Sequence, residues 1–232
     1  MTLVSKYILY FLIYSFIGWL IEVLFVLIQE KKLINRGFLL GPICPIYGFG
    51  FISLLLIIGG NSKDLLAVFL KSVLIFSLIE YFTSLVMEKI FKARWWDYTD
   101  KKFNINGRIC LEYLIPFGTL GTIGLCLIHP RVKAFVGLFS GKVIIALAII
   151  LSIITIIDYV ISFKVMSKIK IQIKKQKSDN TAEVRSKVLD WLEHNSFWYR
   201  RIINAFPKFE IMSKVKKITD VIKNKTKPKD GK

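Results

Sequence analysis

Histidine and cysteine are scarce in this chain, two and three of its 232 residues. His129 and His194 lie far apart with no cysteine beside either, and Cys44, Cys110 and Cys126 fall at no metal-ligand spacing, so no metal centre is expected. The odd, scattered cysteines sit in or beside apolar runs. They read as small packing residues and not as a disulfide framework. No nucleophile elbow is present. The nearest approach to a phosphate loop, GLFSGKV at 137–143, has one residue too few between its glycines and Val143 where a Ser or Thr would hold magnesium. Acidic residues are also in short supply, 16 against 34 Lys and Arg, for a net charge of +18.

What the chain has in excess is apolar sequence. It is 54% hydrophobic with a mean hydropathy of +0.53, more than the core of a soluble domain needs. Five runs carry that excess: 7–29, 38–58, 65–91, 109–128 and 143–163, each long enough to cross roughly 30 Å of hydrocarbon. The first run lacks a basic front and a small-residue cleavage site, so it reads as a retained span. The expected fold is all-α, a polytopic helical membrane bundle of about five transmembrane helices with a basic amphipathic helical C-terminal tail. The domain boundary falls between a transmembrane part, 1–163, and the tail, 164–232.

A strongly positive chain invites a nucleic-acid reading. From Lys164 onward there are 19 Lys and Arg against 7 Asp and Glu, so +12 of the +18 lies outside the apolar part. No nucleic-acid module accompanies this charge, and none is expected to bind. A basic tail beside a bilayer follows instead from the positive-inside rule and from attraction to anionic lipids. Val184, Val188, Trp191 and Leu192 at helical spacing, and a repeat of the pattern in EIMSKVKKITDVI, predict amphipathic tail helices that lie on the lipid or dock a soluble partner.

Basic residues in the connections also orient the chain. Lys31, Lys32 and Arg36, then Lys89, Lys92, Arg94, Lys101, Lys102 and Arg108, share one side with the tail, which should be cytoplasmic with the N-terminus outside. Glu22, Glu80, Glu88, Glu112 and Asp158 then fall at mid-depth or towards that same side.

Two interfacial stretches converge there. NRGFLLGPICPIYG at 35–48 places Gly37, Gly41, Pro42, Pro45 and Gly48 where a helix should enter lipid, leaving backbone groups that lipid cannot satisfy. Broken segments of this kind build transporter binding sites, although a simple kinked entrance with close helix packing fits as well. RWWDYTDKKFNINGR at 94–108 combines aromatic rings with charge, and NING predicts a tight turn. Glu80 is the sharpest signal, since an ionisable group within a span faces the bundle interior and has a partner. With Ser84 and Glu88 it forms a polar stripe at helical spacing. Gly118, Gly121 and Gly124 read as a close-packing face.

The stretches GWLIEV at 18–23, NRGFLLGPICPIYGFG at 35–50, EYFTSLVMEKIF at 80–91, WWDY at 95–98 and FNINGRICLEY at 103–113 resemble a bacterial membrane-protein family described as ABC-transporter type IV, or CmpB-like. The resemblance covers about residues 8–130 and implies a small polytopic envelope protein, permease-like and served by a separate ATPase subunit. The candidate substrate-binding or coupling residues are Glu22, Asn35, Arg36, Tyr47, Glu80, Glu88, Trp95, Trp96, Asp97, Tyr98, Asn104 and Arg108. No catalytic residue, metal or cofactor is assigned. The expected function is a transport component of the bacterial plasma membrane with its polar site on the cytoplasmic side. An interfacial enzyme acting on a lipid or polyprenyl-linked substrate is the alternative, with arginines holding phosphate and Asp97 or Glu88 as general base. A membrane scaffold or regulator is the third reading.

Overall fold

The computed structural model describes residues 1–60, 64–91, 93–175 and 210–211. Its helices run in the order α1 (Thr2–Glu30), α2 (Pro45–Ile58), α3 (Leu65–Phe91), α4 (Leu114–Ile123), α5 (His129–Gly137) and α6 (Gly141–Lys175). A 3-10 turn, Leu111–Tyr113, leads into α4, and a π-turn, Gly124–Ile128, joins α4 to α5 without a break in direction. Pro130 offers no N–H to continue the α ladder at that junction, which accounts for the irregular turn.

Four segments are long and apolar enough to cross a membrane: Thr2–Gln29, Leu65–Phe91, Leu111–Gly137 and Gly141–Lys168. The fold is thus the expected helical membrane bundle, with one difference. The run 38–58 is not one helix. Pro42 drives the preceding residue out of the helical region, and helix begins only at Pro45, which fits a first-turn position where its missing N–H costs nothing. The resulting α2 has 14 residues, about 21 Å of helix, too short to span on its own.

Glycines set the helix spacing. Side chains occupy the places where a Cβ would project: Tyr47 at Gly18, Ser15 and Phe11 at Gly48, Phe69 at Gly118, Ser72 at Gly121 and Phe51 at Gly124. The Gly118, Gly121 and Gly124 face is therefore the close-packing surface expected, seating α4 and the π-turn on α3 and α2. Outward, Leu20, Leu24, Leu70, Leu74, Ile153, Ile154 and Ile157 are exposed, as a lipid-facing surface requires.

The bundle has two unlike ends. At one, Thr2 lies beside Gly141, Gly60 beside His129, and the connection 138–140 turns α5 into α6. We call this the hairpin end. At the other, the loop end, 31–44 and 93–110 come together: Phe38 packs on Phe91 and Trp95, and Phe91 on Phe163 of α6. The apolar core, including Tyr14, Phe51, Leu54, Val68, Leu125, Val136, Ile144 and Ala148, fills the hairpin half.

Two short strand pairings mark the loop end. Asn104–Ile105 (β2) pairs antiparallel with Ile109–Cys110 (β3), and Arg108 N–H closes the turn onto Ile105 O at 3.0 Å. Asn106 and Gly107 both take positive φ, 54° and 66°, the backbone that an Asn-Gly pair supplies for tight hairpins. The turn expected at NING is present. Ala93–Arg94 (β1) pairs antiparallel with Glu210–Ile211 (β4), at the head of the stretch where a tail helix was expected. The tail positions Val184, Val188, Trp191 and Leu192 lie outside the described residues.

Candidate functional site at the loop end

The broken segment 31–44 is held by protein at every turn. Asp158 of α6 accepts the Leu40 N–H at 2.8 Å and the Gly41 N–H at 2.7 Å, one on each carboxylate oxygen. Ser162, one turn on, donates to Asp158 at 3.0 Å and accepts from Leu40 N–H at 3.2 Å. Cys44 N–H reaches across to Ser15 O of α1 at 2.9 Å, and Ile43 N–H to Gly41 O at 2.9 Å. Gly37, at φ +116°, occupies backbone space that L side chains rarely enter. Irregular backbone at this depth is tolerable because α1 and α6 satisfy it.

Asn35 serves the same segment. It accepts the Trp19 indole N–H at 2.6 Å and donates to Leu40 O at 3.3 Å. One turn along α1, Glu22 accepts the Tyr47 hydroxyl at 2.7 Å and faces Arg36 at 3.6 Å. So Glu22, Asn35, Arg36 and Tyr47 form one group joining α1, the broken segment and α2.

The α3 stripe meets the second loop. Tyr98 donates its hydroxyl to Glu80 Oε1 at 3.0 Å. Burial first, then the Glu80 charge, push the Tyr98 phenol far above its usual range, so it remains a donor at any physiological pH. Ser84 accepts from Arg108 Nη1 at 3.1 Å. Glu88 Oε2 takes Arg94 Nε and Arg108 Nη2, both at 2.8 Å, and Arg94 Nη1 reaches Asp97 at 3.2 Å. Burial works against the Arg94 charge, yet the hydrogen bond and charge of Glu88 outweigh it and raise its pKa. Arg108 is 8% exposed, its guanidinium 5.8 Å from the Tyr81 ring centroid.

These groups share the loop end, where Phe38 of the broken segment packs on Phe91 and Trp95, and together they make up its polar interior. The other expected residues build its rim. Trp95 is buried in the Phe38 and Phe91 packing, and Trp96 donates to Arg108 O at 3.1 Å. Asp97 turns its second oxygen onto the Thr99 N–H and hydroxyl. Asn104 bonds Thr99 O, Lys101 O and the Gly107 N–H, which makes it a brace for its own loop. The residues outside the expected set are Trp19, Ser77, Ser84, Asp158 and Ser162. Ser84 had a signal in the helical period. Asp158 had one as a carboxylate in an apolar run.

The family model described as "Putative ABC-transporter type IV" matches residues 9–163, well over half the chain. The chain belongs to this family. No curated protein and no solved structure matches it. Membership in the ABC-transporter type IV family, with four helices able to cross a membrane, makes this a membrane protein and gives membrane transport as its broad function. The match takes in both loops and every residue of the polar interior.

Proposed function

We propose that this protein is the permease-like component of an ABC-type transport system in the bacterial plasma membrane, with the loop end and C-terminus cytoplasmic and the N-terminus outside. Its substrate or coupling site is the polar interior formed by Glu22, Asn35, Arg36, Tyr47, Glu80, Glu88, Tyr98 and Arg108, rimmed by Trp95, Trp96, Asp97 and Asn104. The observation that carries this reading is convergence: a non-helical segment and an intramembrane carboxylate stripe meet at one end of the bundle, beneath two loops that pack through Phe38 and Trp95. The domain division at 163/164 leaves the basic tail to hold anionic lipid at that face, and a separate ATPase subunit supplies the energy.

The interfacial-enzyme reading has less support. Arginines that hold a substrate phosphate must have donors to spare, whereas Arg94 and Arg108 are both committed to Glu88. The proposed general bases, Glu88 and Asp97, are neutralised by the same guanidiniums.

Affinity capture of the full chain from native membranes in mild detergent tests the transport reading. An ATP-hydrolysing subunit should copurify with wild type and with Glu80→Gln alike. Glu80→Gln, inserted at the same level, should fail to correct the solute imbalance of a deletion strain. No copurifying ATPase, together with an accumulating lipid precursor, would overturn it in favour of the enzyme.

A further inference from the structure

Carboxylates at the loop end are either compensated or, like Asp100, exposed to water, and Glu80 is neither. Glu22 faces Arg36, Glu88 takes two guanidiniums, Asp97 pairs with Arg94, Glu112 with Lys101, and Asp158 with two backbone amides. Among the described residues, no Lys or Arg pairs with Glu80. Its Oε1 accepts from Tyr98, while Oε2 is buried and has no hydrogen-bond partner. One turn back on the same face of α3, Ser77 is 9% exposed, and its hydroxyl is also without a partner. That is unusual within this bundle, where Ser15, Ser72, Thr122 and Thr155 each turn onto the carbonyl four residues back.

Two buried oxygens one helical turn apart are thus left open, at a cost that native structures rarely leave uncompensated. The one ring in hydrogen-bond contact with them is Tyr98, which stands 4.8 Å from Tyr113 between centroids. Two open acceptors, one of them on a carboxylate that has no cationic partner among the described residues, are complementary to a single positive charge that carries N–H donors. A divalent metal would need more oxygen ligands than these two. A proton on Glu80 would cancel the charge with its O–H turned towards Ser77 Oγ, and the carboxyl infrared band tells that state from a bound ammonium.

We propose that Glu80 Oε2 and Ser77 Oγ receive the primary ammonium group of the transported substrate. This rests on the transport reading above and narrows it to amine-bearing solutes. Tyr98 holds Oε1 and so leaves Oε2 to the incoming donor.

Thermal unfolding of the full-length protein in lipid nanodiscs, titrated with methylammonium chloride, tests the assignment. Wild type should show a saturable rise in Tm. Glu80→Gln should raise the half-saturating concentration roughly tenfold or more, and Ser77→Ala about threefold. Tetramethylammonium chloride, equal in charge but lacking N–H donors, and potassium chloride should give no saturable rise. The assignment is overturned by an absent rise in wild type, by equal affinity in Glu80→Gln, or by an equal effect of tetramethylammonium. A Glu80-dependent protonated-carboxyl infrared band that methylammonium leaves unchanged would also overturn it, since a proton alone would then occupy the site. Should Glu80→Gln fail to insert, Ser77→Ala carries the comparison. A protein that captures an ATPase and loses function in Glu80→Gln, yet ignores methylammonium, would sink the ammonium assignment and leave the transport reading standing. Methylammonium binding without any ATPase would do the reverse.

Discussion

The hairpin half and the loop half of this bundle are held together by different forces. At the hairpin end an apolar cluster fills the space between helices, and its buried histidine is fully accommodated: His129, 4% exposed, bonds the Tyr14 hydroxyl at 2.9 Å and meets the Tyr10 ring edge-on at 5.2 Å. At the loop end, position is set by Asp158 on backbone amides, by Tyr47 on Glu22, and by two arginines on one oxygen of Glu88. Packing tolerates small adjustments, whereas a hydrogen-bonded ionic network is directional and fails when one member is lost. A rigid apolar half therefore carries a polar half whose geometry is specified residue by residue, which suits a site better than a core.

That contrast can be broken most directly at Asp158. Asp158→Ala leaves the Leu40 and Gly41 amides without their acceptor and should destabilise by roughly 2–5 kcal/mol, read as an earlier unfolding midpoint in detergent. Asp158→Asn keeps one acceptor oxygen and should fall between that variant and wild type. An unchanged midpoint for Asp158→Ala would mean that the broken segment is held by something other than α6.

Gly124→Leu probes the packed half by the same measurement. Its side chain would overlap the Phe51 ring, and overpacking of this kind costs about 1–3 kcal/mol. The loss should appear in stability without altering ligand response at the loop end. Tyr14→Phe is milder. It removes one hydroxyl from His129 and should cost about 1–2 kcal/mol, with complementation of a deletion strain intact. If Tyr14→Phe abolished function as Glu80→Gln is expected to, the hairpin end would be part of the mechanism and the division between halves would fail.

The periodic features were legible in the sequence because helix geometry is local. Glu80, Ser84 and Glu88 recur at the helical repeat, and each finds a loop-end partner in Tyr98 or Arg108, or in Arg94 as well. The Asn106-Gly107 turn and the glycine face of α4 were legible for the same reason: backbone φ and side-chain size act at the residue itself. Apolar composition was a poorer guide to backbone. The run 38–58 is greasy throughout, yet its first seven residues are not helical. Long-range pairing was the least legible. Asp158 caps amides 117 and 118 residues away, and hydropathy registers it only as a blemish in an apolar run. Asp97 and Asn104 show the converse, since short polar side chains that brace their own loop look, in sequence, like those that face a ligand. Ser77 carries no sequence signal at all. Its significance is the bond it does not make.

The smallest effect is expected where charge pairing is exposed, and it sharpens the comparison within the loop end itself. Lys101 meets Glu112 at 2.8 Å, the same distance as Arg94 to Glu88, but the side chains are 46% and 60% exposed against 11% and 14%. Water and salt screen the first pair, and ordering two long side chains offsets what attraction remains. Lys101→Ala should therefore leave the unfolding midpoint unchanged at physiological salt. Arg94→Met should lower it measurably, because Glu88 and Asp97 would lose a buried partner. Equal shifts for the two variants would place the Glu88 network in contact with bulk water, and a site that wet could not distinguish one cation from another.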